Sequence, residues 1–289
     1  MLKGLVIAVS EAQLLEKELN RQQFPWVEIP KTDGKVFRDR DDFRRATEQL
    51  AAQKEELLCL VETDQEEQTA RSMGLICIGY IDPEQERGQR LSGCRVLLEG
   101  LEEIDLQFLQ NVHTRALGLP VTVAETQRLL IREMTIADLD DIHTLYQEGE
   151  FTGFQRHDQI SRQEEEERIK AYITYMYGLY QFGMWVVIEK ESGLLIGRVG
   201  FGIADYLDFS EIDMGYLIKK EHRCRGYAEE ASRAVLDYAV RVLEFQEVSA
   251  YVEQKNLISI HLLEKLGFRR MKAFTREGKE LYRYLCSLS

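Results

Sequence analysis

The pattern of apolar and polar positions in the first part of the chain predicts a small open α/β domain. Residues 57–61 and 75–79 are short apolar runs, and a polar, helix-like stretch that ends at Gly74 lies between them. Unbroken apolar runs are typical of strands buried on both faces, and this order predicts a right-handed βαβ unit. Three further segments extend the pattern, a first strand, a short strand and a helix, at residues 1–10, 95–98 and 104–117.

The pattern restarts after residues 118–120, Gly-Leu-Pro, because glycine caps a helix end and proline cannot continue the helix. The pattern in the rest of the chain predicts a mixture of strands and helices. The strands are expected at residues 129–132, 184–188, 194–200, 212–218 and 248–252, with two more at the end of the chain, and the helices at residues 139–147, 163–180, 228–243 and 259–265. We therefore predict two domains, residues 1–121 and 122–289.

Composition and charge narrow the class of protein. The formal net charge of −13 argues against nucleic acid as the main partner, since binding it relies on clustered Lys and Arg. No apolar run approaches the roughly 20 residues that span a bilayer, so no membrane partner is expected. The five cysteines form no CxxC pair and the five histidines no HxH or HxxxH pattern. These features predict reduced thiols, a cytoplasmic protein and no built-in metal site.

The segment from Tyr216 to Ala228 holds the main candidate site. A predicted strand runs through a turn at Gly226 into a predicted helix, and Arg223 and Arg225 flank the turn. The free N–H groups and the dipole of a helix N-terminus suit a phosphate group, and glycine allows close approach of the backbone. The alternative is a plain strand-to-helix turn with solvated arginines.

Two motifs in this region resemble the GNAT acetyltransferase superfamily, especially its RimJ/RimL-like branch. The phosphate-loop pattern of that family falls on Arg223, Gly226 and Ala228. A second family segment, Asn-x-x-Ser followed by Leu-Glu-Lys-Leu-Gly-Phe, falls on Asn256, Ser259 and residues 263–268. The motifs lie in the expected order, about 30 residues apart. The resemblance covers about residues 126–289.

This resemblance implies a mixed β-sheet flanked by helices, splayed open between the strands that end near Ile218 and Val252. Acetyl-CoA as co-substrate would lie in that opening, and the protein would transfer its acetyl group to an amine acceptor in a direct ternary complex. The residues expected to bind the cofactor are Tyr216, Leu217 and Ile218 through their backbone, Arg223, Cys224, Arg225, Gly226, Tyr227 and Ala228 around the pyrophosphate, and Asn256 and Ser259 along the pantetheine arm. Asn256 has an alternative role as a helix cap.

The candidates for catalytic groups are a hydroxyl and two carboxylates. Many relatives have a Tyr seven residues after the Asn, where this chain has Leu263, so Ser259 is the nearest matched hydroxyl. Glu211 and Asp213 are two apart on a predicted strand and share one face, so they are candidates to attract the amine and receive its proton. The acceptor, a small molecule or a protein amine, is expected to enter near residues 151–157, where His157 is a possible contact.

Two alternatives stay open for the function. Leu263 in place of Tyr fits a CoA-binding sensor or scaffold with little turnover. The other alternative is a phosphatase with an accessory domain, because residues 57–83 resemble the last βαβ unit of the haloacid dehalogenase superfamily. That family's Asp-x-Asp-x-Thr motif is missing, since the first strand is followed by Ser10-Glu11. The resemblance therefore implies a degenerate domain with a regulatory or assembly role. The sequence also leaves open whether copies of the chain form a homo-oligomer.

Overall fold

The computed structural model describes residues 1–31, 37–82, 89–147, 161–204 and 210–288. The chain divides into two compact units, Met1–Leu119 and Pro120–Ser289, next to the boundary predicted from the sequence. Across the described residues, no helix combines the length and apolar character needed to cross a bilayer.

Unit 1 (Met1–Leu119) is built on a five-stranded parallel sheet with strand order β2-β1-β3-β4-β5. The strands are β1 (Gly4–Ala8), β2 (Trp26–Glu28), β3 (Leu57–Val61), β4 (Ile76–Tyr80) and β5 (Leu97–Leu98). The helices are α1 (Gln13–Arg21), α2 (Arg40–Leu50), α3 (Asp64–Ser72) and α4 (Leu106–Ala116). Every residue of β1 and β3 is buried, with one apolar cluster on each side of the sheet. The parallel α/β architecture is therefore confirmed, whereas the dehalogenase-like identity stays a prediction.

Unit 2 (Pro120–Ser289) contains an eight-stranded mixed sheet with strand order β12-β13-β11-β10-β9-β8-β7-β6. The strands are β6 (Thr122–Glu125), β7 (Leu129–Arg132), β8 (Met184–Glu189), β9 (Leu195–Ala204), β10 (Glu211–Ile218), β11 (Glu247–Glu253), β12 (Arg269–Arg276) and β13 (Lys279–Ser287). The helices are α5 (Leu139–Gln147), α6 (Arg162–Tyr172), α7 (Tyr227–Arg241) and α8 (Leu257–Lys265). Among the described strands of unit 2, only β10 and β11 pair in parallel, and helix α7 connects them.

One predicted helix differs from the structure. The apolar and acidic pattern of residues 163–180 predicts a continuous helix, but α6 ends at Tyr172 and the chain continues as a π-helical turn, Ile173–Tyr177. Tyr177 is fully buried there, and its hydroxyl donates to the carbonyl of Met184 at 2.7 Å. A buried phenol needs such an acceptor. Periodicity alone does not reveal the local change of helix type.

Candidate functional site

The candidate site begins at the opening between β10 and β11. The two parallel strands pair at a single position, Asp213 with Ser249, where the Ser249 hydroxyl also donates to the carbonyl of Ile212 at 3.1 Å. Beyond that point these two described strands have no paired residues, while the other edge of β10 stays paired with β9 as far as Ile218. The Ile218 carbonyl accepts from Arg223 Nε at 3.0 Å, so the stretch from Met214 to Leu217 offers an unpaired strand edge to an extended ligand that enters the opening.

The turn that follows β10 presents backbone amides at the start of α7. Gly226 is the N-cap residue, with a φ of 80°, and no side chain caps the helix. Arg223, Cys224, Arg225 and Gly226 are exposed, so the turn that leads into the helix is open to solvent. Uncapped amides at the positive end of the helix dipole attract an anionic group. The geometry fits a pyrophosphate at this turn and an extended arm along β10.

Helix α8 borders the opening with the second motif. The Asn256 side chain accepts a hydrogen bond from the backbone N–H of Ser259 at 3.1 Å, so Asn256 is a helix cap. Its amide group keeps two donors for a ligand, and the predicted contact with pantetheine stays a prediction. Leu263 occupies the position at which many relatives have Tyr. It is 3% exposed and belongs to the core, so this position provides no hydroxyl for catalysis.

A hydroxyl that the sequence did not single out lies beside α8. Tyr216 was predicted to act through its backbone, but its phenol oxygen is buried and makes no well-formed hydrogen bond within the described part of the chain. Burial raises the pKa of Tyr216, and the neighbouring Ser259 hydroxyl offsets part of that rise. A buried donor without a good acceptor is costly, which marks this hydroxyl as a candidate ligand contact.

The two predicted acidic residues differ in their surroundings. Arg283 holds the Glu211 carboxylate through both oxygens, with Arg283 Nε 2.9 Å from Oε1 and Nη2 2.6 Å from Oε2, and the Tyr251 hydroxyl also donates to it. No Lys or Arg among the described residues forms an ion pair with Asp213. Burial, and secondarily the charge of Glu211, raises the pKa of Asp213 to about 6. Asp213 is thus the better-placed proton acceptor.

The predicted acceptor entrance, residues 151–157 with His157, lies outside the described residues. Cys224 is exposed in the turn, with a φ of 59°. Within the part of the chain that the structure describes, no group of three or more His, Cys, Asp or Glu side chains could hold a metal ion.

Comparison with known proteins agrees with this geometry. The family model described as acetyltransferase (GNAT) domain matches residues 128–269. YkkB of Bacillus subtilis is 29% identical over 105 residues, which are 36% of this chain and 61% of YkkB. The uncharacterised N-acetyltransferase YoaA of the same organism is 30% identical over 152 residues, 51% of this chain and 83% of YoaA. A solved GNAT-family acetyltransferase of Bordetella pertussis, 23% identical, covers 56% of this chain and 97% of its own, with a TM-score of 0.50.

Over 56% of its length the chain thus shares its fold with a solved GNAT-family acetyltransferase. The chain belongs to the GNAT acetyltransferase family.

Proposed function

We propose that acetyl-CoA binds in the opening between β10 and β11 and passes its acetyl group directly to an amine. The single paired position of the two strands, Asp213 with Ser249, carries this proposal. It supports a donor whose pantetheine arm extends along the strand edge from Met214 to Leu217 and whose pyrophosphate meets the amides of Cys224 to Ala228. Strand amides near Met214 to Tyr216 would stabilise the tetrahedral oxyanion.

The direction of the side chains on β10 supports direct transfer. Asp213 and Tyr216 are three residues apart on a regular strand, so their side chains leave opposite faces of the sheet. A thioester bound in the opening would therefore have the Asp213 carboxylate on one face of the sheet and the Tyr216 phenol, with Ser259, on the other face. The amine nitrogen attacks the carbonyl carbon, Asp213 receives a proton from the amine, and the C–S bond breaks. The departing thiolate takes its proton from the Tyr216–Ser259 pair.

Turnover with a panel of amines tests this function against that of a CoA-binding sensor. We expect thiol release from acetyl-CoA to depend on the added amine, with the acetylated amine detected by mass spectrometry. The panel should cover α-amines of peptides, lysine side chains, polyamines and aminoglycosides. Tight binding of acetyl-CoA without an acetylated product from any class of amine would favour the sensor.

We expect replacement of the buried phenol to slow the chemical step. Tyr216→Phe keeps the ring and removes the proton donor, so kcat should fall about 10²-fold while KM for acetyl-CoA changes little. Ser259→Ala tests the neighbouring hydroxyl, and the double variant should lose less than the product of the two single losses, because the two act as a unit. A Tyr216→Phe variant with the kcat of the wild type would exclude the phenol as donor.

For unit 1 we propose a regulatory or assembly role without phosphatase chemistry. The acids that follow β3 are used within the unit: Glu62 binds Lys31 at 2.5 Å and the Ser10 hydroxyl at 2.9 Å, and Asp64 accepts from the backbone N–H groups of Arg90 and Leu91. Ser10 also stands where an Asp nucleophile is needed. Phosphate release from phosphomonoesters with magnesium that is lost in Asp64→Asn would contradict this proposal.

The stability of unit 1 should depend strongly on the two ion pairs of a buried arginine. Arg38, 2% exposed, contacts Glu66 at 3.0 Å and Glu62 at 3.3 Å, and it also donates to the carbonyl of Ala8. Arg38→Met leaves the buried Glu66 carboxylate without a cation, while Glu62 keeps Lys31, so the free energy of unfolding should fall by about 3–5 kcal/mol in urea titrations. The exposed Arg44, which pairs with Asp41, is the control, and Arg44→Met should cost less than about 1 kcal/mol. Equal losses of unfolding free energy in Arg38→Met and Arg44→Met would contradict the expected contribution of the buried arginine.

A further inference from the structure

The guanidinium of Arg128 contacts the turn before α7 from the neighbouring β6–β7 connection. Its Nη1 donates to the carbonyl of Arg225 at 2.9 Å, and its Cζ lies 4.3 Å from the centre of the Tyr227 ring. Its Nη2 lies 3.4 Å from the position of a Cβ added to Gly226. Arg128 therefore contacts the residues on both sides of Gly226 without belonging to the turn.

Helix α7 itself holds Arg128 in place. Glu230, in the first turns of the helix, accepts from Arg128 Nε at 2.7 Å and from its backbone N–H at 3.1 Å, and Nη2 lies 2.6 Å from the same carboxylate. The Thr126 hydroxyl donates to Glu230 at 2.5 Å. Burial raises the pKa of Glu230, but these donors more than offset that effect and the pKa is lowered. A carboxylate that meets a guanidinium on two nitrogens fixes its orientation.

The turn needs such outside support because its backbone is strained. Cys224 has a φ of 59° and Gly226 a φ of 80°, and a non-glycine residue in the left-handed region persists only where its surroundings hold it. The peptide between Arg225 and Gly226 is planar and trans, so its C=O and N–H point in opposite directions. When Arg128 holds the carbonyl of Arg225, the N–H of Gly226 is directed away from Arg128.

We propose that Arg128, fixed by Glu230, is a positioning residue that presents the turn amides to the pyrophosphate of acetyl-CoA. The inference rests on the proposed binding of acetyl-CoA at this turn. Arg128 acts through the backbone of Arg225 and Gly226, so its loss lowers the affinity for the donor and leaves the acetyl transfer step intact.

Steady-state kinetics with two donors test this role. Arg128→Ala and Arg128→Lys should raise KM for acetyl-CoA about tenfold or more, the effect of one hydrogen bond from a charged group, with kcat within about twofold of wild type. Lysine keeps the charge but lacks the planar fork, so it should not rescue the affinity. S-acetylpantetheine has no pyrophosphate, and its KM should be the same in wild type and both variants. Arg162→Ala, which removes an exposed arginine paired with Asp140, is the matched control.

Glu230→Gln separates positioning from simple charge attraction. If Arg128 only adds positive potential, removal of the nearby negative charge should tighten acetyl-CoA binding. If Arg128 is a positioning residue, Glu230→Gln frees the guanidinium to move and weakens the binding of acetyl-CoA. The double variant Arg128→Ala/Glu230→Gln then binds acetyl-CoA no more weakly than Arg128→Ala alone. Titration calorimetry with CoA measures the affinities, and Arg128→Lys carries the test if Arg128→Ala does not fold.

Two results would overturn the inference: wild-type KM for acetyl-CoA in Arg128→Lys and Arg128→Ala, or tighter CoA binding in Glu230→Gln. The variant Gly226→Asp identifies a failure of the site itself. If Gly226→Asp binds CoA like the wild type, the cofactor lies elsewhere and the proposed function loses its site. If Gly226→Asp does not bind CoA while the Arg128 variants bind CoA with the affinity of the wild type, only the positioning role of Arg128 fails.

Discussion

Gly226→Asp should abolish binding of acetyl-CoA while the protein stays folded. The new carboxylate lies at the N-cap position of α7, where it competes for the same amides and repels the phosphate groups. Because Asp is a favourable N-cap residue, it offsets part of the strain that a φ of 80° imposes on a side chain. Acetyl-CoA at about 100 times its dissociation constant stabilises wild type by roughly 2.7 kcal/mol, and this shift in unfolding should be missing in the variant.

The matched control for this variant is Gly278→Asp in the turn between β12 and β13. Gly278 also has a positive φ, 76°, and no described residue other than its chain neighbours lies within 4 Å of an added Cβ. Gly278→Asp therefore imposes the same kind of backbone strain and the same charge away from α7, and it should keep the full stabilisation by acetyl-CoA. Equal stabilisation of Gly226→Asp and wild type would move the cofactor site elsewhere.

Asp213→Asn should lower kcat/KM by about 10²-fold or more at pH 7, with acetyl-CoA binding nearly unchanged. An amide cannot receive the proton of the attacking amine. The loss should shrink as the assay pH approaches the pKa of the amine, since a neutral amine no longer needs a base. An α-amine, with a pKa near 8, suits this site better than a lysine amine near 10.4. Activity equal to wild type in both Asp213→Asn and Glu211→Gln would place the base elsewhere.

The pH profile of the wild type provides a second test of Asp213. The raised pKa of about 6 means that the carboxylate forms only above that pH, so kcat/KM should fall as pH decreases through about 6. Glu211→Gln should move this fall to lower pH, because Arg283 then loses its carboxylate partner and the negative charge near Asp213 disappears. A variant that only perturbs the fold would not shift the profile in this direction.

The raised pKa of Asp213 also predicts that Asp213→Asn stabilises the fold at pH 7, although the same substitution lowers activity. The pKa of Asp213 is higher in the folded than in the unfolded protein, so its contribution to stability is fully present below pH 4 and is lost as pH rises through about 6. At pH 7 the folded protein holds a poorly solvated carboxylate. Asp213→Asn should therefore increase the free energy of unfolding by about 1–3 kcal/mol at pH 7 and have little effect near pH 4.

The elements that the sequence predicted well are those with a strong local pattern. β3 was predicted at its observed bounds because all five of its residues are apolar and buried. β2 and β6 were missed, since Trp26–Glu28 and Thr122–Glu125 are short and contain polar residues on exposed positions. The two motifs of unit 2 indicated the family because both lie in continuous segments of a few residues.

The parts of the site that the sequence did not predict depend on contacts between distant segments. Arg128 and Glu230 are 102 residues apart, and their pairing follows only from the position of α7 beside the β6–β7 connection. Glu211 and Asp213 look alike in the sequence, since both are acidic residues on the same face of one strand. Of these two described residues, only Glu211 forms an ion pair with Arg283, which is 72 residues away, and this contact distinguishes the two carboxylates. The burial of the Tyr216 hydroxyl is a property of the packed opening and has no signature in the strand motif.

Hydrogen–deuterium exchange with and without acetyl-CoA tests most directly whether the cofactor lies in the opening of the sheet. With saturating acetyl-CoA, we expect slower exchange in peptides covering Glu211–Ile218 and residues 223–230, since the unpaired edge of β10 and the amides before α7 gain hydrogen bonds. The Gly226→Asp protein should show no such protection at the same concentration. Protection by acetyl-CoA confined to unit 1, or to unit 2 segments away from β10 and α7, would contradict the account.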